Sequence, residues 1–261
     1  MRTLLKLLFA AFLVFLVTSV RASEPDVKLH KQCLYPTIKV VPEGKGSYGT
    51  GVIVRSMRVA DGEFRNVFIT CAHIADSHLP YFVMVYKYEK WSTVEKIKPY
   101  PCTFYGKDEA RDVAVGVFIS EEKMPTATID FDTALYIGTP VFHFGCGVGD
   151  DPRLDEGKVT SVRNKLKRDG PSFIRTNVTT VPGDSGGPLF HKYNVVGIAK
   201  SIRVWNDNMV WNMSYYIPIE KFKEWSNDND EALHFVWGTT KLPDTPYWVL
   251  NFGKKWETAK K

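Results

Sequence analysis

The segment Val181-Pro-Gly-Asp-Ser-Gly-Gly-Pro188 sets one serine, Ser185, among three glycines. Glycine carries no side chain to hold another group away from the backbone, so the segment suits a turn that a second group approaches closely. A serine hydroxyl alone is a weak nucleophile. It needs a base to take its proton, a carboxylate to hold that base in one tautomer, and N–H donors for the oxyanion that forms. A loop over Gly183–Ser185 can aim the amides of Gly183 and Ser185 at one point, which supplies the donors.

Six histidines are available as the base. His73 stands out because Phe68-Ile-Thr-Cys-Ala-His73 reads as an apolar strand ending in a histidine. For the carboxylate, Asp112 opens the apolar run Asp112-Val-Ala-Val-Gly-Val-Phe118. A buried carboxylate is costly unless paired, and a histidine N–H is a suitable partner. Asp76 and Asp108 compete for the role, but both sit in polar, turn-like surroundings that suggest solvent exposure. Gly183-Asp-Ser-Gly-Gly187 also fits the Gly-x-Ser-x-Gly elbow of α/β-hydrolases, whose acid and histidine follow the serine. Only His191 and His234 follow here, and no alternation of strand and helix precedes the motif.

The elements that must position these groups are short strands. From Thr37 onward, segments rich in β-branched and aromatic residues are separated by Gly, Asp, Asn and Pro, the spacing of an all-β fold. Strands are expected at 37–41, 51–55, 67–70, 81–88, 113–119, 141–144, 158–162, 173–177, 187–190, 195–201 and 213–219. Asp61-Gly62 reads as a hairpin turn. The basic run Arg163–Arg168, followed by Asp169-Gly-Pro171, reads as a solvated hairpin tip. Glu121–Asp130 is the natural linker between two halves. Glu220–Trp225 is expected to form a short helix that breaks at Asn227–Asp230. The aromatic content of the remaining tail argues that part of it packs on the body, with a partner-binding tail as the alternative.

The order His73, Asp112, Ser185, with Gly49-Thr-Gly-Val-Ile-Val upstream and Gly-Asp-Ser-Gly-Gly-Pro around the serine, resembles the chymotrypsin-fold serine peptidases, and within them the HtrA (Deg) protease domain. The likeness covers roughly residues 37–219. It implies two six-stranded antiparallel β-barrels, at about 35–120 and 130–222, with the active site in the cleft between them. His73 and Asp112 would come from the first barrel and Ser185 from the second. It also implies a substrate pocket with Thr179 at its floor and Ala199-Lys-Ser-Ile202 as a wall that pairs its backbone with substrate. Thr179 lacks the carboxylate that would select Arg or Lys, so a small or medium uncharged side chain is the expected preference. Lys200, unusual at its position, would select acidic residues or turn outward into solvent, and the outward placement is preferred.

The chain departs from the family in two respects. HtrA relatives carry a peptide-binding PDZ domain after the barrels, and the roughly 40 residues that follow here are too few. No Ile-Val-Gly-Gly type of activation site occurs between Ser23 and Tyr48. Asp184 therefore has no evident partner, and activity is expected without propeptide cleavage.

Residues 1–22 read as a secretory signal peptide: Arg2 and Lys6 precede an apolar run, and Val20-Arg-Ala22 suits cleavage before Ser23. Loss of Arg2, Lys6 and Arg21 lowers the net charge from +5 to +2. Such a balance calls for no nucleic-acid partner. The location would be extracellular or periplasmic, with no stable membrane association after cleavage. Cys33, Cys71, Cys102 and Cys146 are too far apart for a zinc knuckle or redox dithiol, so neither metal nor cofactor is expected, and both disulfides and free thiols fit an exported chain. Asn177-Val-Thr and Asn212-Met-Ser match the glycosylation sequon, a pattern that often arises by chance. Two functions remain: a secreted serine endopeptidase acting on polypeptides, or a catalytically idle member of the fold serving as a binding module.

Overall fold

A computed structural model describes residues 26–44, 48–59, 62–75, 79–165, 172–205 and 208–228 of the 261-residue chain. The signal peptide, Asp76, the tip at 166–171 and the tail from 229 onward lie outside them. After a helical turn, α1 (Val27–Leu29), and a π-helical turn over His30–Leu34, six strands form a closed antiparallel barrel: β1 (Thr37–Pro42), β2 (Gly49–Arg58), β3 (Phe64–Thr70), β4 (Tyr81–Lys90), β5 (Thr93–Asp108) and β6 (Val113–Ser120). They are arranged in the order β1-β2-β3-β6-β5-β4, and β1 closes the ring on β4. β2 and β3 form the hairpin expected around Gly62, which takes φ +82°.

The second half contains β7 (Thr128–Ile129), β8 (Pro140–Gly145), β9 (Arg153–Lys165), β10 (Ser172–Thr176), β11 (Pro188–His191), β12 (Asn194–Trp205) and β13 (Asn208–Pro218). The order β11-β8-β9-β10-β13-β12 closes through β11–β12 pairing into a second six-stranded antiparallel barrel, and β7 adds parallel to β12. The two-barrel, all-β expectation is met. One apolar cluster runs through both halves, from Val52, Val67 and Val115 to Phe144, Phe190 and Ile217. It also includes Phe222 and Trp225 of the C-terminal helix α2 (Glu220–Asp228).

Several local expectations are corrected. β5 was not anticipated, because Pro99, Pro101 and the charged residues 95, 96 and 98 suppress its strand signal. Its first half pairs only with β4, as a hairpin projecting from the barrel, and contact with β6 begins at Cys102. Both prolines thus face an open edge, where a missing N–H costs no ladder bond. The linker is packed: Met124 and Ala127 are buried, and the Ala127 amide donates to Ile53 O at 2.8 Å. Helix α2 continues to Asp228, past the break expected at Asn227, with Phe222 and Trp225 buried against the body. Asp108 is not solvent-exposed, since its carboxylate pairs with Arg111 at 2.6 Å and its side chain is only 14% accessible. All four cysteines are free thiols, and three of them are buried.

Candidate active site

His73 lies in a single 3₁₀ turn, Ala72–Ile74, immediately after β3, and Asp112 immediately precedes β6. β3 and β6 are neighbours, with Thr70 opposite Ala114, so both side chains emerge at the same end of the barrel. Asp112 takes φ +59°, a left-handed conformation that aspartate tolerates better than most side chains and that recurs at functional sites. The residue is 5% exposed. Oδ1 accepts the His73 backbone amide at 3.0 Å, and both oxygens lie 3.0 Å from His73 Nδ1. An ionised carboxylate only accepts, so the proton sits on Nδ1 and Nε2 is left with its lone pair.

A third group completes this cluster. The Lys200 ammonium binds Asp112 Oδ2 and lies 5.6 Å from the centroid of the Phe173 ring. Lys200 therefore does not turn into solvent, as the sequence suggested. A buried carboxylate draws in a cation that can reach it, and the apolar stem packs along the way. Burial opposes the charge on Asp112, but His73 and Lys200 outweigh it and hold the carboxyl below its ordinary value.

Ser185 sits in the turn between β10 and β11, half-buried, and its Oγ donates to Lys200 O at 3.3 Å. Thus one residue touches both halves of the site, Asp112 through its ammonium and Ser185 through its carbonyl. His73 and Ser185 share no hydrogen bond in this arrangement. The loop around the serine is anchored to the first barrel by Thr50, which explains the Gly49-Thr-Gly motif. Its Oγ1 donates to Gly183 O at 2.7 Å and accepts from Cys146 N at 2.9 Å, and its amide donates to Ser185 O at 2.8 Å. At Gly186 (φ +87°), a Cβ would stand 2.0 Å from Thr50 O and from Thr70 Oγ1, so no other residue fits. Among the described residues the amides of Gly183 and Ser185 donate to no acceptor.

Asp184, 1% exposed, has the partner that the sequence did not reveal. Arg153 Nη2 on β9 binds its Oδ2 at 2.9 Å, and the same oxygen accepts Val181 N at 2.8 Å. His143 Nε2 stands 3.8 Å from Oδ1, beyond hydrogen-bond distance. Its Nδ1 donates to Pro188 O at 3.0 Å. Burial opposes ionisation of Asp184, and His143, the Val181 amide and Arg153 together hold its carboxyl below the usual value. No sequence signal marks Arg153, since it lies in an ordinary polar turn, Asp150-Asp-Pro-Arg153.

The expected pocket residues divide. Thr179 is half-buried and its Oγ1 donates to Asn212 Oδ1 at 3.0 Å. Ala199 is not available to pair with substrate: it is 2% exposed, its amide donates to Gly187 O, and its carbonyl accepts Gly186 N. Ser201 and Ile202 are half-buried and pair with β13 on one side. Among the described residues no strand covers the other edge of β12 beyond Ile198, so that edge can accept an extended chain. The donor atoms of Cys71, His73 and Asp112 lie within 4.8 Å of one another, a spacing a metal could use. The Lys200 ammonium already neutralises Asp112, and burial holds the Cys71 thiol protonated, so the charges balance without an ion.

The family model described as "Trypsin-like peptidase domain" matches residues 49–198. Two curated proteins, each named "Probable periplasmic serine endoprotease DegP-like", are similar to this chain. The one from Halomonas elongata is 33% identical over 117 residues, covering 44% of this chain and 24% of the relative. The one from Pseudomonas savastanoi pv. phaseolicola is 35% identical over 117 residues, with the same coverage. The aligned part of this chain thus spans about a quarter of the length of these relatives. Among solved structures, the serine endoprotease from Yersinia pestis superposes with a TM-score of 0.60 at 16% identity, covering 80% of this chain and 67% of that one. At that identity the likeness concerns the fold.

Proposed function

Because the chain belongs to the trypsin-like peptidase family, we propose that it is an exported serine endopeptidase in which Ser185 is the nucleophile, His73 the base and Asp112 the orienting carboxylate. The observation that carries this reading is the buried Asp112 carboxylate holding Nδ1–H of His73, which leaves Nε2 as the only basic atom of the ring. In the first step Ser185 Oγ gives its proton to Nε2 and bonds to the substrate carbonyl carbon, and the carbonyl oxygen becomes an oxyanion. The unengaged amides of Gly183 and Ser185 are the donors for that charge. His73 then protonates the leaving amine, and water, deprotonated by the same nitrogen, releases the acyl group from Ser185. The Lys200 carbonyl holds the Ser185 hydroxyl at rest, and the reaction requires the hydroxyl to leave it for His73.

The substrate is an extended polypeptide laid along the open edge of β12 at Ser201 and Ile202. Thr179 and Asn212 present hydroxyl and amide groups with no carboxylate, and Lys200 is neutralised by Asp112. Among these described residues, neither a basic nor an acidic side chain then finds a counter-charge beside the nucleophile, which favours a small or medium uncharged residue. Export is supported by the signal-like residues 1–22 and agrees with the periplasmic designation of the relatives. Cleavage of a randomised peptide library tests the specificity. Products ending in Ala, Val, Thr or similar residues are expected, and dominant cleavage after Arg, Lys, Asp or Glu would overturn it.

A further inference from the structure

The Lys200–Asp112 contact has a consequence for the pH range of the reaction. It rests on the peptidase reading above. Three elements meet at Asp112: the turn after β3 brings His73, the start of β6 brings the carboxylate, and β12 brings Lys200. Among the described residues, the other groups facing the cluster are the Cys71 thiol, which donates to Ala199 O at 3.0 Å, and the Ser185 hydroxyl on Lys200 O. Arg111, adjacent in sequence, is directed away to Asp108, Glu224 and Asp228. Neither the thiol nor the hydroxyl carries charge, so the electrostatic balance involves Asp112, Lys200 and the imidazole ring.

With His73 neutral, the carboxylate and the ammonium cancel. Adding a proton to His73, whose side chain is 44% exposed, then leaves a net positive charge beside the buried carboxylate. Without Lys200, the same proton would instead complete a neutral ion pair with Asp112 and be favoured. We propose that Lys200 is a positioning residue that fixes Asp112 and, by offsetting its charge, keeps the histidine–aspartate pair competent as a base at lower pH than the pair alone would allow. The position of Lys200 is built for this. A register shift between Ala199 and Ser201 lifts residue 200 out of the ladder, placing its carbonyl on Ser185 while its side chain reaches back to Asp112.

The test is the second-order rate of Ser185 modification by a fluorophosphonate, measured from pH 5 to 9 for the wild-type protein, Lys200→Met, Lys200→Gln and Lys200→Arg. The expected result is an acid limb shifted upward by about one unit or more in both uncharged variants, with Lys200→Arg staying near the wild type. A merely structural lysine would lower the plateau without moving the limb. Coincident limbs for wild type and either folded uncharged variant, or a limb in Lys200→Arg that moves as far as in Lys200→Met, would overturn the proposal. Absence of Ser185 labelling in the wild type would instead defeat the peptidase reading on which it rests.

Discussion

Replacing Arg153 by Met is expected to lower kcat/KM by about 10²- to 10³-fold, although Arg153 touches neither His73 nor the nucleophile. The carboxylate it pairs with, Asp184, is buried next to Ser185 and ties down Val181 N. Removal of the cation leaves that charge with one amide and a histidine at 3.8 Å. An uncompensated buried carboxylate is costly, on the order of 2–4 kcal/mol after allowance for the partial exposure of Arg153. The turn can relieve that cost by carrying Asp184 toward solvent, which turns the Gly183 and Ser185 amides away from the oxyanion. Loss of a single oxyanion donor accounts for an effect of that size. The Arg153→Met/Asp184→Asn double variant should recover much of the lost folding stability, because a neutral amide can stay buried while still accepting from Val181. Urea denaturation alongside hydrolysis rates separates the two effects.

The same pair gives a pH dependence of stability with a definite sign. The carboxyls of Asp112 and Asp184 are both held below the ordinary value of about 4, so their contribution is complete above about pH 4 and is lost as pH falls through their lower folded values. In Arg153→Met burial is opposed by fewer partners, and the acid-side loss of stability should begin at higher pH. Arg153 is the partner of Asp184 that the sequence left unassigned. The ion pair is formed within the barrel itself, which supports activity without trimming of the chain.

Asp112→Asn should reduce kcat by about 10³- to 10⁴-fold while leaving the fold intact. An asparagine amide turned toward Nδ1 holds the ring in the wrong tautomer, and one turned the other way meets the Lys200 ammonium with its own N–H groups. The variant should therefore be less stable as well as slow, since Lys200 loses its counter-charge. Adding Lys200→Met should return stability without returning activity. If the single variant kept more than a tenth of wild-type kcat, Asp112 would not be the orienting group.

Most of the scaffold could be read from the chain because β-branched and aromatic runs between turn residues carry a period that survives packing. The eleven expected strands lie within or overlap observed ones, usually a few residues shorter than the paired segments. β5 was hidden because a strand that pairs on one side over its first half can hold Pro99 and Pro101, residues that argue against a strand when context is unknown. The proposed residues His73, Asp112 and Ser185 stood out in the sequence because each lies in a distinctive local segment next to an expected strand. Lys200 and Arg153 were not. The direction of a long cationic side chain is decided by which buried carboxylate lies within its reach, and both carboxylates come from segments distant in sequence. Asp108 was misjudged for the same reason, since a polar turn says nothing of the Arg111 guanidinium folded over it.

The central claim is that Ser185 is activated by His73. Treatment of the mature protein with a fluorophosphonate, followed by peptide mapping by mass spectrometry, tests it most directly. One adduct on Ser185 is predicted, absent in Ser185→Ala and formed at least 10³-fold more slowly in His73→Ala. No adduct, an adduct on another residue, or equal rates in the wild type and His73→Ala would contradict it and leave the protein a binding member of its fold.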